Sequence, residues 1–176
     1  MQHFTNETID LNALPKYEAT KFTNPDQKYW NIMVINLTLF LLLIGIGLAL
    51  IIFFNEDAQH NWMIWTSLYL VLATSLFLVF RASFKRRGFA LREKDVLYKS
   101  GIIAETTTVI PLNRIQHVAL NEGLLSRMFQ LGTLHIYTAG GSSGEIRIAG
   151  VPIEQAKAIK EALAQSLVEI RKTTAE

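Results

Sequence analysis

A chain of 176 residues, half of them apolar and with no cysteine, has room for a membrane anchor and one small domain but not for several folded units. Disulfides, thiolate metal sites and cysteine nucleophiles are excluded. The formal net charge of +2 is unevenly placed: residues 81–176 hold 14 Lys and Arg against 9 Asp and Glu, residues 1–80 hold 3 against 6.

Residues 1–30 are polar and mixed, with Pro15 and Pro25. They lack the basic start and short apolar core of a signal peptide. They predict an irregular cytoplasmic lead-in, with a short interfacial turn over residues 17–22. Residues 31–54 then run for 24 residues without a formal charge, and residues 62–80 for 19, against the ~20 needed to cross a bilayer. Tyr29 and Trp30 open the first run, and Trp62 and Trp65 open the second; such amphipathic rings favour the headgroup level. The seven residues between the runs, 55–61, leave room only for a turn, so the pair predicts a transmembrane hairpin.

Glu56 and Asp57 sit in that turn, whereas Lys21 and Lys28 precede the hairpin and Arg81, Lys85, Arg86 and Arg87 follow it. Basic flanks stay inside, which predicts a multi-pass membrane protein with both termini cytoplasmic. Neither run contains Asp, Glu, Lys, Arg or His, the residues that mark ion and proton pathways. A channel or transporter acting alone is therefore not expected. Gly45 and Gly47 lack the four-residue spacing that favours close helix pairing.

After Arg87 the periodicity becomes strand-like. Short alternating or β-branched stretches over residues 88–92, 96–99, 102–110, 114–120, 133–138 and 145–149 are separated by turn residues, the signature of a small antiparallel sheet or barrel. Ile115 and Val118 are expected on the core side, and residues 124–129 could form one helical turn. Residues 153–171 carry Ile153, Ala156, Ile159, Leu163, Leu167 and Ile170 at three- and four-residue steps. That is one apolar stripe on a helix, with Pro152 suited to its first position. This helix should cover an open face or end of the sheet.

The stretch Ile110-Pro111-Leu112-Asn113-Arg114-Ile115-Gln116, followed by Gly123-Leu124-Leu125-Ser126-Arg127, Phe129, Leu131-Gly132-Thr133 and Thr138-Ala139-Gly140-Gly141, resembles the bacterial pleckstrin-homology-like (PH-like) membrane proteins. The resemblance covers roughly residues 30–170. It implies an α+β fold, in which the hairpin (31–54 and 62–80) leads into a cytoplasmic PH-like β-sandwich or open barrel (81–172) capped by the C-terminal helix. It also implies the bacterial plasma (inner) membrane as the location and no known enzymatic activity; no cofactor is expected. Relatives of this kind often accompany a larger membrane protein carrying the same type of domain, so that protein, the lipid bilayer and a second copy of the chain are the expected partners; nucleic acid is not.

Candidate chemistry is sparse. The glycine-rich residues 139–144 lack the Gly-Lys-Ser/Thr of a phosphate loop. His3, His60, His117 and His135 lack metal-pair spacing, and no base is placed beside Ser126, Ser142 or Ser143, so no catalytic residue and no metal site are assigned. Arg114, Gln116 and Arg127 are the candidate ligand- or partner-binding residues. Arg114 and Arg127 either tie loops down, through backbone carbonyls, Glu105 or Glu122, or read an acidic partner. Arg114, beside Leu112 and Ile115, is expected to be partly buried. Arg81, Lys85, Arg86 and Arg87 form a basic cluster for anionic headgroups, each contributing roughly 1 kcal/mol near the surface. Basicity there equally fits the positive-inside signal and ordinary solvated surface. Arg92, Lys94 and Lys99 occupy the region where eukaryotic PH domains hold phosphoinositides, but Glu93 and Asp95 are interleaved. A lipid- or small-ligand-binding role through a pocket or basic face is the alternative to a protein-binding module.

Overall fold

The computed structural model describes residues 20–139 and 144–175, with side chains up to residue 167. The lead-in turn, the middle of the glycine-rich loop and the Ile170 end of the helical stripe fall wholly or partly outside the described residues.

Two long apolar helices come first, α1 (Gln27–Phe54) and α3 (Trp62–Lys85). Each extends past its uncharged run, α1 by four residues at its start and α3 by five at its end. The Asp26 side chain accepts from the Lys28 N–H at 2.8 Å and starts α1. The linker is not a bare turn. Asn55 ends α1, and its side chain accepts from the Ala58 N–H at 3.0 Å, capping a one-turn helix α2 (Glu56–His60). Glu56 and Asp57 lie in its first turn, where the positive end of the helix dipole favours them.

Gly45 matters for a reason its spacing to Gly47 does not reveal. The Tyr69 hydroxyl crosses from α3 and donates to the Leu41 carbonyl at 3.0 Å. A Cβ on Gly45 would stand 3.2 Å from that hydroxyl, whereas at Gly47 there is open space. At the other end of the hairpin, Trp30 packs edge-on to Phe77 with centroids 5.6 Å apart, and the Arg81 guanidinium lies 4.9 Å from the Trp30 ring centre.

Six strands follow in two antiparallel sheets, β1 (Gly88–Leu91), β2 (Asp95–Ser100) and β3 (Thr106–Pro111) in one, β4 (Ile115–Asn121), β5 (Leu131–Thr138) and β6 (Glu145–Pro152) in the other. The sheets are not closed into a barrel. A 3₁₀ turn (Leu112–Arg114) links them, and a one-turn helix α4 (Leu124–Met128) joins β4 to β5. The inner faces meet in a filled core of Val96, Ile110, Ile115, Leu134, Ile136 and Ile148, against which Val118 packs partly buried. Helix α5 (Ile153–Ala175) lies mainly on β4 and β5. It buries Ala156 and Leu163 in that core, with Ile159 and Leu167 alongside. Fully buried side chains of this kind are each worth about 1.5–3 kcal/mol.

Two expectations are corrected. Residues 102–104 are a loop, not the start of a strand. At Gly101 φ is +133°, and a Cβ there would collide with the Ala104 carbonyl oxygen, so the chain doubles back and leaves Ile103 wholly exposed. Pro152 closes β6 instead of opening the helix; Ile153 begins α5, and its N–H donates to the Gln130 carbonyl at 3.0 Å.

The segment before α1 is stitched to both sheets. Thr23 and Phe89 of β1 exchange backbone hydrogen bonds at 2.8 and 2.9 Å, and the Asp26 N–H donates to the Gly150 carbonyl of β6 at 2.8 Å. Gly150 is the extra residue of a bulge, left out of the β5–β6 register between Ala149 and Val151. Its φ is +78° and a Cβ would lie 2.6 Å from Tyr29. Only glycine allows both that conformation and that approach.

Candidate functional site

The stitching sets the start of α1 and the end of α3 beside the domain and leaves a cleft of about 770 Å³ between them, walled by Tyr29, Ser83, Arg87, Tyr98, His135 and Arg147 among others. The outer face of the β4–β5–β6 sheet forms one wall. Strand alternation turns Leu134, Ile136, Ile146 and Ile148 inward, so His135, Tyr137, Glu145 and Arg147 share the opposite face. Register sets Tyr137 opposite Glu145 and His135 opposite Arg147.

Those neighbours form one network. The His135 Nδ1 lies 2.5 Å from Glu145 Oε1, and Arg147 donates from Nε and Nη2 to Glu145 Oε2 at 3.0 and 2.7 Å. His117 stacks on Tyr137 with centroids 4.1 Å apart. The Arg147 and His135 bonds hold the Glu145 carboxyl down at about 2, from an ordinary 4.5. The same carboxylate raises the Tyr137 phenol. On the facing side burial pushes the Tyr98 phenol up, against the pull of Arg87.

The basic cluster is in large part a set of structural ties. Arg81 covers Trp30, and Arg86 donates from Nη1 to the Ile102 carbonyl. Arg87 donates from Nη2 to Ser83 Oγ at 3.2 Å and from Nη1 to the Tyr29 hydroxyl at 3.5 Å. Among the described residues Lys85 alone of the four is exposed without such a contact.

Arg114 and Arg127 do not form a pair. They flank β4, whose seven residues span about 20 Å at ~3.3 Å per residue. Both side chains, and Gln116, are exposed. Among the described residues neither arginine side chain makes a hydrogen bond or ion pair, so the loop-tying role and the partly buried setting expected for Arg114 are not what the structure shows. Arg114 helps to line a groove of about 250 Å³ with Thr108, Val109, Pro111, Thr138 and Ile146, at the seam between the two sheets. There β3 is a sheet edge that pairs only with β2 among the described residues. Gln116 sits at a register shift between Ile115 and His117. Glu105 pairs with Lys99, and Asp95 pairs with Arg92 at 2.6 Å across the β1–β2 turn, so Arg92 and Lys99, two of the three basic residues of that region, are already paired. No group of three His, Asp or Glu side chains that could hold a metal converges among the described residues.

Tyr29, Tyr98, His135 and Arg147 are site residues that pattern reading missed. For His135 and Arg147 the signal was the polar phase of the alternating strands, which identifies a face but not what stands opposite it.

An apolar hairpin with basic flanks, carrying two open sheets capped by a helix, is the architecture of a membrane-associated PH-like protein. The profile of the family described as Bacterial PH domain matches residues 32–167, and the chain belongs to that family. It is 24% identical over 144 residues to the UPF0699 transmembrane protein YdbS of Bacillus subtilis (strain 168), covering 78% of this chain and 86% of the relative. It is 32% identical over 91 residues to the UPF0699 transmembrane protein YdbT of the same organism, covering 50% of this chain but 18% of that longer relative. No solved structure gives a significant match.

The Glu145 network predicts a pH signature. A carboxyl held low in the folded state stabilises fully above its ordinary value and loses that contribution as pH falls through the folded one. In thermal melts of the full chain in detergent, the stability gap between wild type and Glu145→Gln should be constant at neutral pH. It should close between pH 4.5 and about 2. A gap independent of pH would contradict the network.

Proposed function

We propose that the protein is a non-enzymatic, multi-pass membrane protein whose hairpin holds the PH-like domain at the cytoplasmic face, where it docks a larger membrane protein carrying domains of the same type. The observation that carries the docking is the β3 edge. It has a free row of backbone donors and acceptors, a half-exposed Val109 and, where it meets the groove, an unpaired Arg114 among the described residues. An extended segment can add to such an edge through main-chain hydrogen bonds, with side-chain pockets supplying selectivity. Arg114 would read a carboxylate on it bidentately. The filled core supports a surface-binding module over a carrier that encloses its ligand. Bacillus subtilis has a relative of this length and a much longer one with a stretch like this domain, which supports a pairing of short and long members.

The orientation rests on charge, with acids in α2 and bases at the outer ends of α1 and α3. A cysteine at Gln59, exposed in α2, should react with an impermeant maleimide in whole cells, and one at Lys85 should not. The reverse pattern would turn the domain outward and exclude a cytoplasmic partner.

For docking, the tagged full chain is purified from its own membranes as wild type, Arg114→Ala and Val109→Lys. All three should melt within about 0.5 kcal/mol of one another, because the changes are on exposed positions. Recovery of a larger protein of this family should fall sharply in both variants, and Arg114→Lys should rescue poorly for lack of the guanidinium fork. Undiminished recovery in both would remove the β3 edge from the function. Recovery of only a second, differently tagged copy of this chain would reassign the partner.

A further inference from the structure

The cleft at the foot of the hairpin lies at a definite depth. Trp30, packed edge-on to Phe77 and tilted against Phe84 and covered by Arg81, marks the boundary between hydrocarbon and headgroups, where indole rings and snorkelling arginines settle. Ser83 lies two residues beyond Arg81, about 3 Å at 1.5 Å per helical residue, and Arg87 follows just past the end of α3. The headgroup layer on each side of a bilayer is about 5–8 Å thick. With α1 and α3 read as spans, the floor of the cleft is level with phosphate groups.

Its chemistry suits an anion. Arg87, Arg147 and His135 line it, with the Ser83 and Ser126 hydroxyls, and none of its lining residues is Asp or Glu. Each arginine offers five N–H donors. Arg147 uses Nε and Nη2 on Glu145, and Arg87 places one bond from each terminal nitrogen on Tyr29 and Ser83. Both guanidiniums keep donors free of any partner among the described residues.

The mouth of the cleft is flanked by apolar side chains that face nothing among the described residues. Ile103 is 100% exposed, on the loop that Arg86 ties to the end of α3. Leu124 and Met128, 81% and 72% exposed, are four apart on one side of α4. Gly123 and Ser126 beside them line the cleft, and α4 packs against α1. Scattered exposed leucines are ordinary; these stand next to two helices whose own exposed apolar surface belongs in lipid, and they continue that surface.

We propose that this cleft binds the anionic headgroup of a phospholipid in the adjoining leaflet, with Ile103, Leu124 and Met128 seated among the acyl chains at its mouth. Phosphate oxygens meet the free donors of Arg87 and Arg147, and the apolar prongs hold the domain down on the surface. The domain is then docked on the bilayer as well as tethered to it.

The test uses the full chain in lipid nanodiscs, with spin-labelled phosphatidylglycerol compared with spin-labelled phosphatidylcholine for the immobilised fraction around the protein. Glu145→Gln/Arg147→Gln removes one of the two cleft guanidiniums without changing the net charge. It should lower the preference for phosphatidylglycerol about fivefold, the factor matching about 1 kcal/mol per basic residue at an anionic surface. Lys160→Gln, exposed on α5 and outside the cleft, should leave the preference unchanged. A preference that survives in the double variant overturns the proposal, as does an equal fall in Lys160→Gln, which would show diffuse attraction. Inorganic phosphate at matched ionic strength should not displace the lipid; displacement would make the occupant a soluble anion and overturn the lipid assignment.

Discussion

The arrangement of the molecule depends on a short run of backbone hydrogen bonds just ahead of the first long helix. Thr23 pairs with Phe89 in one sheet, and Asp26 donates to Gly150 in the other. Immediately afterwards the Asp26 side chain caps α1 and Tyr29 packs on the bulge glycine. One stretch of seven residues therefore joins both sheets to the start of the hairpin. Without it, the domain would hang from α3 through the Arg86–Arg87 turn, with the Arg86 bond to Ile102 and the packing of α4 on α1 left to set its angle.

Two consequences follow for function. The junction creates the cationic cleft, because it brings the polar face of the β4–β5–β6 sheet to the level of Ser83 and Arg87. It also gives the basic residues after α3 a mechanical role. Arg86 and Arg87 spend hydrogen bonds on the β2–β3 loop, Ser83 and Tyr29, so this part of the basic cluster braces the domain against the hairpin. An unbraced basic tail would feel the same surface potential but could not hold a cleft open at a fixed depth.

Much of this was legible from residue order, and what was missed has a common cause. Uncharged runs, interfacial tryptophans and the three-and-four spacing of Ala156, Ile159 and Leu163 report local environments, so the long helices and the capping helix could be read directly. The family motif could be read too, although it said nothing of contacts. The Ile102–Ile103 stretch misled because β-branched residues favour strands only where neighbours pack on them; Gly101 turns the chain away first. Arg114 was misjudged by its apolar neighbours: Leu112 and Ile115 are buried, while Arg114 between them points to the surface. The cleft was invisible because Tyr29, Arg87, His135 and Arg147 are far apart in sequence. Only the register of β5 with β6 and the bulge at Gly150 bring them to one place.

The central claim is that residues 23–29 clamp the domain to the hairpin, and amide hydrogen exchange on the full chain in nanodiscs tests it most directly. The amides of Thr23, Asp26 and Phe89 should exchange as slowly as those of paired strand residues. Gly150→Val, which places side-chain atoms where Tyr29 packs, should release Thr23 and Asp26 while Leu134 in the core stays protected. Exchange of Thr23 and Asp26 at open-chain rates in the wild type would contradict the clamp and the fixed cleft it creates.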